Sequence, residues 1–198
     1  MVIIFIFNCY LFVVASVLGY YLEGFWSLLT RGFFEHHAST LWGPFCLIYG
    51  VAALLINWLY PKIKDRPLII QGIIFALLMT VLEYLTHWGQ EILFHTYSWD
   101  YSYQPFNIQG RVSLIMSCLW GLLALFFAHV ILPLFQYGLS FLHGPLHRWL
   151  AAILAILMLI NIFCTFTAIY LWTHQETYPS SYIDDQKMQL RFPNMHFE

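Results

Sequence analysis

Four polar side chains share one face of the long apolar run at residues 68–94. They are Glu83, His87, Gln90 and Glu91. At about 100° per residue, Glu83, His87 and Glu91 fall within about 80° of one another on a helix, with Gln90 beside Glu83. A carboxylate at mid-bilayer costs roughly 2.5–3.5 kcal/mol on insertion scales. We therefore expect this stripe to face the interior of a helical bundle, a cavity or a partner.

Further charged residues are expected on the same side of the membrane as the end of this helix. At a rise of about 1.5 Å per residue, Glu83 lies about 22 Å and Glu91 about 34 Å along the helix from Leu68. Both therefore fall in the half of the bilayer towards the end of the helix. Four other residues come from the same side and are candidates to converge on the stripe: Glu23, Arg31, Asp100 and Arg111.

The charges in this group do not balance, because four acids meet two arginines. Either some of the acids are protonated or something cationic binds. A structural ion-pair network is one interpretation, and a site for a ligand, ion or substrate is the other. Under the second interpretation, the substrate-binding residues are predicted to be Glu23, Arg31, Glu83, Glu91, Trp99, Asp100, Tyr101, Asn107 and Arg111.

The sequence patterns favour no cofactor and assign no catalytic residue. The spacing of His and Glu matches no specific metal motif, so no metal site is predicted. Neither a Gly-x-Ser-x-Gly turn nor a phosphate-binding P-loop is present. If ATP drives the protein, the ATPase is therefore a separate subunit.

Composition places this chain of 198 residues in a membrane. It is 61% hydrophobic and 9% charged, against roughly 25% charged in soluble domains, and its mean hydropathy is +0.70. A water-soluble enzyme and a disordered chain are excluded. The formal net charge of −2 gives no electrostatic footprint for nucleic acid.

The apolar residues form five runs, each near the ~20 residues that cross a bilayer. We predict an all-α polytopic bundle of about five transmembrane helices in one domain, residues 1–172, with a loosely ordered polar tail at 173–198. A polar and aromatic connector joins the third and fourth spans, and Trp149 and Trp172 are expected to anchor the fifth span at the two interfaces. Gly43 and Pro44 predict an irregular start to the second span. The runs are residues 2–22, 41–60, 68–94, 112–135 and 149–172.

Basic residues in short loops indicate the orientation. Lys62, Lys64, Arg66 and Arg148 fall in the loops at 61–67 and 137–148, which lie on one side. The positive-inside rule then places the N-terminus in the cytoplasm and the polar stripe in the outer leaflet.

Several motifs together resemble one family of small polytopic bacterial membrane proteins, catalogued as ABC-transporter permeases (CmpB-like, type IV). The resemblance runs in order over about Leu18 to Phe135, and its most specific part is Trp-Asp-Tyr-Ser followed by Pro-Phe-Asn. The motifs are Gly43-Pro44-Phe45-Cys46, Ile48-Tyr49-Gly50, Leu82-Glu83-Tyr84, Glu91 with Phe94-His95, Trp99-Asp100-Tyr101-Ser102, Gln104-Pro105-Phe106-Asn107 and Trp120-Gly121.

The resemblance implies a multi-pass protein of the cell membrane with a role in transport. Three functions stay open: a transport component with a polar substrate site near the outer interface, an intramembrane enzyme acting on a lipid-linked substrate, and a structural or regulatory subunit. The expected partners are membrane lipid and either a separate ATPase subunit or further copies of the chain.

Overall fold

The computed structural model describes residues 2–139, 144–175 and 183–197, and these residues are mainly helical. Four stretches are long and apolar enough to cross a membrane: Ile4–Arg31, Leu68–Phe94, Leu114–Leu139 and Pro145–Thr173. A fifth apolar helix, Leu47–Ile63, is shorter. The predicted helical membrane bundle is therefore confirmed. The helices are α1 (Val2–Arg31), α2 (Leu47–Ile63), α3 (Leu68–Phe94), α4 (Leu114–Phe126), α5 (Leu132–Leu139), α6 (Pro145–Thr173) and α7 (Asp185–Arg191).

The helices pack through small residues. α3 packs along α4, and α1 packs along α2 and α6. A Cβ atom on Gly121 of α4 would lie 3.0 Å from the Gly72 carbonyl oxygen of α3 and 2.8 Å from Ala76 Cβ. Such close contacts are how membrane helices associate when lipid supplies no hydrophobic drive. Phe75 and Met79 fill the core that α2 and α4 share with α3.

A π-helical turn, Phe127–Ile131, connects α4 to α5 in one continuous apolar stretch. Pro133 explains it, because proline lacks an N–H and its ring clashes with the carbonyl four residues earlier, at His129. His129 in this turn bonds to Gln71 Oε1 at 2.9 Å.

Residues 39–46 form an irregular segment that we call the re-entrant segment. The Leu41 N–H donates to Thr165 Oγ1 at 2.8 Å, and Trp42 exchanges two hydrogen bonds with the Asn161 side chain. Asn161 lies about 24 Å along α6 from Pro145, which is within bilayer depth. Side chains of α6 thus satisfy non-helical backbone at the level of a candidate span, which is the condition on which a bilayer tolerates such backbone. The irregular start predicted from Gly43 and Pro44 is confirmed.

The described part of the tail is ordered, contrary to the sequence-based expectation. Residues 183–197 form α7 and β4 (His196–Phe197), and β4 pairs antiparallel with β1 (Thr96–Tyr97). Met188 and Phe192 pack on Phe94 and Trp172. Trp172 is consequently buried and donates to Asp185, so it is not the exposed interfacial anchor that was predicted. The apolar side chains within the polar tail account for this difference.

Candidate functional site

The connector between α3 and α4 is held in shape by its own polar residues. Strands β2 (Asn107–Ile108) and β3 (Val112–Ser113) pair as a hairpin. Asp100 accepts hydrogen bonds from the Ser102 N–H and hydroxyl, both at 2.8 Å, and these bonds lower the pKa of Asp100. The Asn107 side chain bonds three backbone groups of the same loop. Gly110 has a φ of 69°, and a Cβ there would meet Asp100 Oδ1.

Glu83 lies at the junction of α3, α4 and the connector and is only 2% exposed. Its Oε1 atom accepts the indole N–H of Trp120 at 3.0 Å and the hydroxyl of Tyr101 at 3.1 Å. Burial, reinforced by the Glu83 carboxylate, raises the pKa of Tyr101 far above its usual range, so Tyr101 stays a donor. The second oxygen, Oε2, is buried and has no hydrogen-bond partner among the described residues.

Glu23 joins the same site from α1. The Tyr49 hydroxyl on α2 donates to Glu23 Oε1, and the Tyr49 ring packs against Trp120 with 5.1 Å between ring centroids. One chain of contacts therefore runs through four helices and the connector. We call these five residues the deep cluster: Glu23, Tyr49, Glu83, Tyr101 and Trp120.

A second group lies nearer the end of α3. Arg111 donates through Nε to Glu91 Oε2 at 2.8 Å and also through a terminal nitrogen to the same oxygen. It also donates to the Tyr84 hydroxyl at 2.9 Å. The bonds to Glu91 raise the pKa of Arg111. Because both charged side chains are 17% exposed, this pair is largely shielded from solvent.

His87 connects this pair to the connector backbone. Its Nε2 atom lies 2.8 Å from the Trp99 carbonyl oxygen, which can only accept, so Nε2 carries a proton. Its Nδ1 atom lies 3.1 Å from Glu91 Oε1. The Trp99 indole N–H donates in turn to the Arg111 carbonyl oxygen at 2.9 Å. We call this the interface cluster: Tyr84, His87, Glu91, Trp99 and Arg111.

The nine residues predicted to bind substrate are not all brought together. Glu23, Glu83 and Tyr101 belong to the deep cluster, and Glu91, Trp99 and Arg111 belong to the interface cluster. Asp100 and Asn107 bond within the connector. Arg31, the last residue of α1, is exposed and pairs at 2.5 Å with Glu35 in the non-helical segment that follows.

The two arginines do not balance the charge of the two acids in the deep cluster, Glu23 and Glu83. Arg31 is engaged by Glu35 and Arg111 by Glu91, so neither arginine neutralises the deep cluster. Among the ion pairs of the described residues, none includes Glu23 or Glu83. The described residues also contain no group of three or more His, Cys, Asp or Glu side chains able to hold a metal.

Sequence reasoning missed Tyr49, Tyr84 and Trp120 as site residues. Each is an aromatic residue in an apolar helix, where packing is the ordinary role. The signal that could have found them is the polar atom each carries, since a buried Tyr or Trp needs a hydrogen-bond partner. Tyr49, Tyr84 and Trp120 also lie within motifs that carry the family resemblance.

Residues 10–166 match the family described as "Putative ABC-transporter type IV". The chain belongs to this family. The match extends past Phe135 into α6, so the sequence-based limit of the resemblance was too short. Both clusters lie within the matched range, whereas α7 and β4 lie outside it. No curated protein and no solved structure matches the chain.

Proposed function

We propose that this member of the type IV ABC-transporter family is a transport component that binds a small polar or amphiphilic substrate from the outer side of the membrane. Direct contacts come from the deep cluster and from Glu91, Trp99 and Arg111. Asp100 and Asn107 position the connector, and Arg31 lies with Glu35 at the outer end of α1.

One observation carries this proposal. Glu83 is a buried carboxylate that accepts two hydrogen bonds on one oxygen and none on the other. An ionised group buried without a charged partner is expensive, and membrane proteins place ionisable residues within spans mainly for function. A purely structural role would be served as well by an amide, which makes the same two contacts without the charge.

The energy source and partners are part of the proposal. The sequence has no P-loop, so ATP-driven transport requires a separate ATPase subunit. Lys62 in the last turn of α2, with Lys64 and Arg66 in the loop to α3, forms the cytoplasmic surface available to such a subunit under the proposed orientation. A second copy of the chain is the other proposed partner.

An enzyme acting on a lipid-linked substrate is the second candidate. The observation that favours it is the pair of aromatic residues on the connector, Tyr103 and Phe106, which are 79% and 80% exposed. Aromatic rings at the membrane interface suit contact with lipid headgroups. In this case Glu83 would act as a general acid or base.

The two functions differ in what changes in the cell. Cells producing the wild-type chain, Glu83→Gln or Asp184→Asn are compared with cells lacking the protein, by mass spectrometry of intracellular compounds, medium and lipids. Asp184 is an exposed acid just before α7. Transport predicts that wild type and Asp184→Asn shift polar compounds between cell and medium, that Glu83→Gln does not, and that lipid species are unchanged. New or depleted lipid species in wild type alone would support the enzyme. No difference between wild type and Glu83→Gln in any fraction would contradict both.

A further inference from the structure

We propose that Glu83 is a proton-binding site that exchanges protons with the outer interface through His87 and Glu91. Coupling of this proton to substrate passage rests on the proposed transport function, whereas the proton site itself does not. Three features of the described residues support the proposal: the missing positive charge, the lack of space beside Glu83, and the polar route along α3.

The positive charge is missing although the site holds two carboxylates. The donors to Glu83 are the neutral groups of Tyr101 and Trp120, and the donor to Glu23 is the neutral Tyr49 hydroxyl. Burying an ionised carboxylate without a charged partner costs far more than burying the neutral acid. A positive charge therefore binds at this site for at least part of the working cycle.

In this conformation, the packing near the carboxylate leaves room for a proton and not for a larger cation. Glu83 Oε2 is buried away from solvent, and the crevice beside Trp120, which Ile48, Met79 and Leu82 also line, is too tight for a water molecule. A metal ion needs several oxygen ligands at fixed distances, and an organic ammonium group needs a cavity. A proton needs neither, since it binds directly to a carboxylate oxygen.

Each element packed around Glu83 contributes a group that would sense this proton. α1 contributes Glu23, α2 contributes Tyr49, the connector contributes Tyr101, and α3 itself contributes His87 one turn away. α4 contributes Trp120, which donates but does not titrate. Glu23 is the other carboxylate of the deep cluster. Because two neighbouring negative charges repel, its presence favours binding of a proton by Glu23 or Glu83 over ionisation of both.

The route to the outer interface follows α3. Glu83, His87 and Glu91 are spaced by four residues, about 6 Å of helix rise per step, on one face. His87 Nε2 donates to the Trp99 carbonyl oxygen, and its Nδ1 atom lies 3.1 Å from Glu91 Oε1. The His87 ring is thus placed between buried Glu83 and Glu91, which is 17% exposed.

A hydrophobic carbodiimide tests the site, because it reacts with protonated carboxyl groups in apolar surroundings. The purified full-length chain in nanodiscs is treated with dicyclohexylcarbodiimide between about pH 5 and pH 9, and the adduct is located by peptide mass spectrometry. We expect an adduct on Glu83 that decreases as the pH rises. In Tyr101→Phe, which loses one donor to the carboxylate, labelling should persist to higher pH.

Three further variants separate a proton site from general reactivity. Glu83→Gln should remove the adduct, and Asp65→Asn, at an exposed acid, should leave it unchanged. In His87→Phe the adduct should form, but hydrogen–deuterium exchange of the Glu83 carboxyl, followed by its infrared C=O band, should slow by at least about tenfold because the route is interrupted. Labelling of other acids but not Glu83, labelling of Glu83 that does not depend on pH, or unchanged exchange in His87→Phe would overturn the proposal.

The outcome does not depend on whether the protein transports anything. If cells show no shift of polar compounds but the carbodiimide labels Glu83 as described, the transport function fails and the proton site stands. If compounds shift across the membrane but Glu83 does not take up a proton, transport stands and this inference fails.

Discussion

The indole N–H of Trp120 on α4 meets the carboxylate of Glu83 on α3 at 3.0 Å. At the next residue, Gly121, the α4 backbone approaches α3 closely, against Gly72 and Ala76. Because Gly121 has no side chain, α4 lies close enough to α3 for the neighbouring Trp120 to reach the buried Glu83. Neighbouring residues of α4 thus serve helix packing and the candidate site.

Substituting Glu83 should separate function from stability. Gln can accept the bonds from Trp120 and Tyr101 on its carbonyl oxygen, and it replaces the oxygen that has no partner. Glu83→Gln should therefore abolish activity while the folded yield and the thermal unfolding midpoint in detergent stay near wild type. Glu83→Leu should lose about 1–3 kcal/mol of stability for each buried donor left without an acceptor. Loss of folded protein in Glu83→Gln would indicate a structural network instead.

Arg111 and Glu91 should behave as a coupled pair. Arg111→Ala combined with Glu91→Gln should differ from the sum of the single changes by about 0.5–3 kcal/mol, as residues in contact do. The pair Arg111→Ala with Asp100→Asn should be additive within about 0.5 kcal/mol, because Asp100 bonds to Ser102 instead. Denaturant unfolding gives all five values, and Arg148→Ala, at an exposed arginine, controls for loss of a positive charge. Additivity of Arg111 with Glu91 would refute the interface cluster as a unit.

Asp100 should make stability depend on pH at the acid end. Hydrogen bonds from Ser102 lower the pKa of Asp100 in the folded state. Its stabilising contribution is then complete above the unfolded-chain pKa of about 3.9 and disappears as the pH falls through the lower folded value. The difference in unfolding midpoint between wild type and Asp100→Asn should thus be largest near neutral pH and shrink below about pH 4. A constant difference across this range would show that the carboxylate charge contributes nothing.

Arg191 should hold the re-entrant segment in place. Its guanidinium donates to the carbonyl oxygens of Thr40 at 2.8 Å and Gly43 at 2.6 Å. Arg191→Ala should lower the free energy of unfolding by about 1.5–3 kcal/mol, the range for hydrogen bonds to a charged group. Lys187→Ala, on an exposed face of the same helix, should change it by less than about 0.5 kcal/mol. Equal effects of the two substitutions would contradict the assigned role.

Membrane orientation can be tested with introduced cysteines. We expect an impermeant thiol reagent outside intact cells to label Gln186→Cys on α7 and to spare Asp65→Cys in the loop between α2 and α3. Both positions are exposed, so accessibility reports the side of the membrane. The unsubstituted chain controls for its four native cysteines, and permeabilised cells should label both variants. The reverse pattern would place the interface cluster in the inner leaflet.

The sequence was most informative where one face of a helix carries polar residues. α3 begins at Leu68 and ends at Phe94, as its hydropathy predicts. Of the polar stripe, Glu83 and His87 are buried inside the bundle and Glu91 is partly exposed. The first span was predicted to end at residue 22, but α1 continues to Arg31. Its last turns mix polar residues with apolar ones and carry a charge at each end, Glu23 and Arg31, and hydropathy alone does not distinguish such a helix from a loop.

Pairing between distant segments could not be predicted from spacing. Arg31 was expected near the buried acids, but it forms an ion pair with Glu35, four residues later in the chain. Asp100 was expected to converge with Arg111 on the same stripe, but its carboxylate accepts hydrogen bonds from Ser102 instead. The partners of Arg31 and Asp100 depend on the geometry of loops, which hydrophobic periodicity does not predict. The partners of the re-entrant segment lie even farther away in the sequence, on α6 and α7.

The re-entrant segment also constrains the order in which the protein is made. Its backbone groups at residues 40–43 bond to side chains that lie 119 to 151 residues later in the chain. When α1 and α2 enter the membrane during synthesis, Asn161, Thr165 and Arg191 do not yet exist. The N-terminal third therefore reaches its final state only after the last helices are inserted, and a ribosome-bound chain ending before α6 carries a segment whose polar backbone must still be solvated.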